Sequence, residues 1–144
     1  MLWTFFGDVM FGRNDNPFVR NPWEKVKHYL DDSSTLFFNL ETSISKIPED
    51  QKWPNKIFNF QSGNHQLITL ISLLDNSDIM VSIANNHILD YGSNGLSDTI
   101  KNLSSLGIFS AGAGLNFLQA SKVVKSKKDK IYFLAITDHC GCDE

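Results

Sequence analysis

Hydrophobic positions along the chain form short apolar runs that alternate with segments of helical spacing, and the runs break into polar residues at their C-terminal ends. Leu2-Trp3-Thr4-Phe5-Phe6 is aromatic and branched and predicts a strand, followed by a turn through Gly7-Asp8-Val9-Met10-Phe11-Gly12-Arg13. Asn21-Pro22-Trp23-Glu24 has the form of a helix start, with Asn as cap, Pro at the first helical position and Glu at the third. Trp23, Val26 and Leu30 then face inward, and Asp31-Asp32-Ser33-Ser34 ends the helix. Thr35-Leu36-Phe37-Phe38-Asn39-Leu40-Glu41-Thr42-Ser43 predicts a second strand. Residues two apart on a strand face the same side, so Asn39 and Glu41 point together. Ile44 to Asn55, with two prolines and mixed charge, predicts a loop long enough to be a surface flap.

Ile57-Phe58-Asn59-Phe60 predicts a short strand. Ser62-Gly63-Asn64 then opens a helix whose Leu67, Ile68, Leu70, Ile71, Leu73 and Leu74 form a broad apolar stripe. Asp78-Ile79-Met80-Val81-Ser82-Ile83-Ala84 reads as a buried strand. From Ser93 the spacing of Leu96, Ile100, Leu103 and Leu106 predicts a helix that Gly107 stops at its C′ position. Phe109 to Gly114 is a small-residue strand and loop, with a short helix near Asn116 to Ser121. Lys122-Val123-Val124 and Ile131 to Thr137 predict two strands joined by a basic turn. The alternation of strands and helices argues an α/β domain with a central sheet covered by helices.

At 144 residues and 42% hydrophobic, the chain suits one domain, residues 1–144, able to bury a core. A net charge of −3 and a pI near 5.7 give no electrostatic footprint for nucleic acid. The basic run from Lys122 to Lys130 is interrupted by Val123, Val124, Ser126 and Asp129 and reads as a solvated turn. No apolar stretch approaches the ~20 residues of a membrane span, and the N-terminus lacks the pattern of a signal peptide, so a soluble, unexported, cytoplasmic chain is expected. Cys140 and Cys142 are too few for a disulfide framework and too close for a zinc ribbon.

The candidate chemistry lies where apolar runs end. Ser82 to Gly92 passes abruptly from aliphatic residues into Asn85, Asn86, His87 and Asp90, between a predicted strand and a predicted helix. Crevices at the carboxyl ends of strands in open α/β sheets are where ligand groups collect. Taken singly, Asp8 is either a hard-metal ligand or a turn cap. Asn85, Asn86 and Gly92 can simply make a turn around a partly buried His87, and Arg13 can face an anionic substrate or only solvent. Gly112-Ala113-Gly114 can cradle a phosphate or make a tight turn, and it lacks the dinucleotide fingerprint. Taken together, Asp8, Glu41, Asn86-His87 and Asp138-His139 each terminate an apolar strand, which turn chemistry alone does not explain. Carboxylates, a carboxamide oxygen and imidazoles at one sheet edge suit a divalent cation such as Mn²⁺, Fe²⁺ or Mg²⁺. Such an ion polarises a phosphoryl or acyl oxygen and acidifies bound water, leaving an imidazole as general acid or base.

Gly7-Asp8-Val9-Met10-Phe11-Gly12-Arg13, Asn39-Leu40-Glu41-Thr42, Ala84 to Gly92, Gly95-Leu96 with Asp98-Thr99, and Gly112 to Asn116 resemble the successive signatures of the CapA-type capsule-synthesis proteins. Those proteins are associated with poly-γ-glutamate production and have a fold similar to the calcineurin-like metallophosphoesterases. The resemblance implies a metallophosphoesterase-like α/β sandwich, of which this chain would be the N-terminal half. It implies Asp8, Glu41, Asn86 and, more weakly, His139 as ligands of a divalent Mn, Fe, Mg or Zn ion. His87 would be the acid or base and Asp90 would orient it. Asn39, a weaker transfer, joins Arg13 as a candidate to meet substrate. Met10 stands where phosphoesterases commonly carry a histidine and is a poor ligand for a hard cation.

Two functions from different classes follow. One is a metal-dependent hydrolase acting on a phosphate ester or an anionic, amide-linked polymer. The other is a non-catalytic module of the same fold that binds or assembles such a polymer. A half-domain would also leave a sheet edge near Thr137 unpaired, and self-association through that edge is expected.

Overall fold

A computed structural model describes residues 2–11, 23–74, 77–128 and 130–139. Its centre is a four-stranded, all-parallel sheet in the order β1-β2-β5-β6, from β1 (Leu2–Val9), β2 (Ser33–Leu40), β5 (Asp78–Ser82) and β6 (Phe109–Ala111). The short β3 (Ser43–Ile44) and β4 (Gln61–Ser62) pair with each other beside it. The crossovers carry α1 (Lys27–Leu30), α2 (His65–Ser72) and α3 (Gly92–Ser105), and a short α4 (Phe117–Ala120) precedes an antiparallel hairpin of β7 (Val124–Lys125) and β8 (Tyr132–Phe133). Parallel strands need such crossovers, so their C-terminal ends collect at one edge.

The two faces of the sheet are covered differently. Leu36, Phe38, Leu40, Ile79, Val81 and Ile83 point into a core completed by Leu67 and Leu70 of α2 and Leu96 and Leu103 of α3. Alternation sends Phe5 and Phe37 to the opposite face, where their rings stack at 4.7 Å and Phe133 of the hairpin closes on Phe37 at 5.8 Å. Trp3 and Phe5 remain exposed on this side. The hairpin is fastened by the buried carboxylate of Asp78, which accepts from Ser126 Oγ at 2.6 Å and from the N–H groups of Lys127 and Lys128 at 2.6 and 3.1 Å. Asp78→Ala is expected to lower stability in urea by about 2–3 kcal/mol, because hydrogen bonds to a charged acceptor are among the stronger ones. The amides of Lys127 and Lys128 should then exchange faster than those of α3.

Several expectations hold in detail. The helix that begins near Ser93 is α3, and it ends in a Schellman motif: Gly107, at φ +72°, donates to Ser104 O and Ile108 donates to Leu103 O. Asn116 caps α4, accepting from Gln119 N at 3.0 Å. Others are corrected. Glu24–Val26 is a 3-10 turn leading into the single turn of α1, and β2 already begins at Ser33. Gly7-Asp8-Val9 is not a turn but the end of β1, held because Asp8 pairs with Asn39 and Val9 with Leu40. Ile57 to Phe60 is not a strand, since the Phe60 N–H goes to the Asp90 carboxylate and Ile57 lies open to solvent. Ile68 leaves the apolar stripe for the surface. The strand placed at Ile131 to Thr137 shortens to Tyr132–Phe133 within the hairpin, so the edges of the parallel sheet are β1 and β6. Arg13, Asn21, Pro22 and both cysteines lie outside the described residues.

Candidate functional site at the strand ends

The C-terminal edge of the sheet carries one connected set of polar side chains. β1 reaches it through a bulge: between the pairs Phe5–Phe37 and Asp8–Asn39, Phe6 and Gly7 stand where β2 has Phe38 alone. An extra residue reverses the alternation, so Asp8 turns out of the core side onto the side of Asn39. Asn39 Nδ2 donates to Asp8 Oδ1 at 2.9 Å and to Glu41 Oε1 at 3.3 Å, which brings both carboxylates to one amide group. Asn39 and Glu41 therefore do point together, as their spacing predicts.

Asn85 ties β5 to this group. Its amide donates to Asn39 Oδ1 at 3.1 Å and to Leu40 O at 2.9 Å, while its Oδ1 accepts the His87 N–H at 3.0 Å. With all of these bonds made, buried Asn85 is a strut, whereas the side chain of Asn86 has no hydrogen-bond partner among the described residues. A turn was the structural role the sequence offered for Asn85; its place directly after a buried strand was the available signal.

His87 and Asp90 form a dyad. His87 Nδ1 lies 2.9 Å from Asp90 Oδ2, and Asp90 is fully buried. The same oxygen accepts the Phe60 N–H at 2.6 Å, and Oδ1 accepts from Lys56 Nζ at 2.5 Å. A carboxylate with a lysine on one side only accepts, so the proton of this contact is on Nδ1 and Nε2 is the ring atom left for chemistry. The Phe60 ring lies 4.3 Å from the imidazole.

The flap is longer than the expected Ile44 to Asn55: the whole connection between β3 and β4, residues 45–60, supplies these contacts. Besides Lys56 and Phe60, Trp53 N donates to Asp90 O at 2.8 Å, and the Tyr91 hydroxyl donates to Glu49 Oε2 at 2.8 Å. Lys52 beside Glu49, with the Tyr91 hydroxyl, holds the Glu49 carboxyl below its ordinary value.

His139 sits apart. It is exposed, and it closes a local turn in which its N–H donates to Thr137 Oγ1 at 3.2 Å. Among the described residues no three His, Cys, Asp or Glu side chains converge as a cation site.

Comparison with known proteins places this geometry. The bacterial capsule synthesis protein family PGA_cap matches residues 3–144. The chain belongs to that family. PGA_cap proteins have the metallophosphoesterase-like fold, which the parallel α/β sheet here follows. A probable polyglutamine synthesis accessory protein of Mycobacterium tuberculosis strain H37Rv is 32% identical over 105 residues, covering 72% of this chain and 26% of the relative. The capsule biosynthesis protein CapA of Bacillus anthracis is 28% identical over 132 residues, 84% of this chain and 30% of the relative. This PGA_cap chain thus spans less than a third of the length of those relatives. No helix among its described residues is long and apolar enough to cross a membrane.

Proposed function

We propose that the strand-end group binds a divalent cation and, with the His87–Asp90 dyad, forms part of a hydrolytic site for an anionic substrate of capsule or polyglutamate synthesis. The substrate would be a phosphate ester or an amide-linked acidic polymer. The observation that carries this reading is the line Asp8–Asn39–Glu41, continued through Asn85 to the free Asn86 and to His87.

Asp8, Glu41 and Asn86 offer two carboxylates and a carboxamide oxygen. That donor set fits Mg²⁺ or Mn²⁺, which take oxygen ligands, keep water and manage with one or two carboxylates. It suits Zn²⁺ less well, since Zn²⁺ prefers nitrogen and sulfur and these three donors are all oxygen. When bound, the ion would polarise the reacting oxygen and acidify water. The chain's own residues supply the rest. Asp90 holds the imidazole so that Nε2 exchanges a proton with the reacting group, Phe60 covers one side of the ring, and Asn39 keeps the carboxylates together.

A non-catalytic binding module of the same fold is the second reading, favoured by the lack of a third converging His, Cys, Asp or Glu among the described residues. Calorimetric titration of Mn²⁺ and Mg²⁺ into the chain decides between them. One site is expected, weakened at least about 100-fold in Asp8→Asn, since even residues behind the ligands contribute 10–100-fold. A folded chain that takes up neither ion would leave the binding module.

A further inference from the structure

We infer that Lys56 is a positioning residue of this site, a cation carried in on the flap that clamps the Asn86 backbone carbonyl to the Asp90 carboxylate and so fixes both Asn86 and His87. The inference rests on the reading of Asn86 and His87 as working groups, and it gives the flap a part in the site.

Lys56 Nζ donates to two acceptors of the same loop, Asn86 O and Asp90 Oδ1. Its side chain is 16% exposed and that of Asp90 0%, so the pair is largely out of water. A buried carboxylate requires a cation or several donors. Asp90 has Lys56 on one oxygen and the Phe60 N–H with His87 Nδ1 on the other. Both of its lysine and backbone donors come from the flap, and Asn59 Nδ2 in turn holds the Lys56 carbonyl at 3.1 Å, which sets the turn that delivers the ammonium. The loop thus has few ways to move without the flap: shifting Asn86 or Asp90 breaks a bond to Lys56, and turning His87 breaks its bond to Asp90 and its contact with Phe60. Ile57, the next residue along the flap, faces solvent instead.

The test reads the ring and the ammonium directly. In nitrogen–proton correlation spectra of the whole chain, the Lys56 ammonium should be protected from exchange with water, and His87 should show a single Nδ1–H tautomer. In Lys56→Met the ring signals are expected to move toward those of a free, averaging imidazole, and Mn²⁺ affinity is expected to fall about tenfold, the scale seen when groups behind ligands are lost. Lys56→Arg, which keeps charge and donors, should restore both. An unchanged ring in Lys56→Met overturns the inference. So does a wild-type Lys56 ammonium that exchanges as fast as that of exposed Lys25, a result that needs no variant to fold. A wild-type chain that ignores Mn²⁺ but whose His87 ring still depends on Lys56 would remove the cation reading and leave the clamp in place.

Discussion

Asp90→Ala should lower the unfolding free energy by about 3–5 kcal/mol, the penalty for breaking a buried ion pair from one side. The alanine leaves the largely buried Lys56 ammonium without its carboxylate, the Phe60 N–H without an acceptor, and His87 Nδ1 facing nothing. Because domains of this size have only about 5–15 kcal/mol in total, urea denaturation should show the midpoint falling by a large fraction. Removing both charges at once should hurt less than the sum. Asp90→Asn with Lys56→Met is therefore expected to be more stable than the two single losses added together, and a double-mutant cycle reads the coupling. An unaltered midpoint in Asp90→Ala would mean that the flap is held elsewhere.

The second large effect separates two adjacent asparagines. Asn85→Ala removes two donated bonds and one accepted bond in a buried setting, including the bond to Leu40 O at the end of β2. At about 1 kcal/mol per bond, with more for groups left unpaired, a loss of about 3 kcal/mol is expected. Asn86→Ala touches no partner and should stay within about 0.5 kcal/mol of wild type. For Mn²⁺ affinity the order changes, because Asn86 is the proposed ligand: its alanine variant should bind more weakly while folding normally. Parallel melting and titration of the two variants check both halves. Equal stability losses would mean that the two side chains share the strut.

How much of this was readable beforehand depends on the kind of signal. β5 and α3 were legible because an aliphatic run and a period of 3.6 are local patterns, and Gly107 marks the helix end by a conformation that favours glycine. The site edge was legible through Asp8, Asn39, Glu41 and His87, since polar residues closing apolar runs have few structural reasons to recur. The bulge at Phe6 and Gly7 was not, because it exists only in the pairing of β1 with β2, and a lone sequence made Gly7-Asp8 look like a turn. Ile57 to Phe60 looked like a strand by composition, but the Phe60 N–H is taken by Asp90, a choice that no propensity records. Lys56 gave no sign at all. Its partners lie 30 and 34 positions away, and no spacing rule connects them. His139 ends an apolar run in sequence, yet the structure folds it into a local turn with Thr137.

The all-parallel order also governs when this edge can come into being as the chain folds. Asp8 meets Asn39 across 31 positions, Asn39 meets Asn85 across 46, and Lys56 meets Asp90 across 34. Contacts of such long sequence separation form slowly, because loops must close before the contacts reward them. α2 and α3 can form early from their own sequences, whereas the polar edge waits for three strands and the flap to meet. During synthesis it cannot exist before residue 90 has left the ribosome, and Asn39, which holds Asp8 and Glu41, lacks its bond from Asn85 until then. A Lys56 ammonium protected from exchange therefore reports that the flap and the loop after β5 have met, contacts made across 30 and 34 positions.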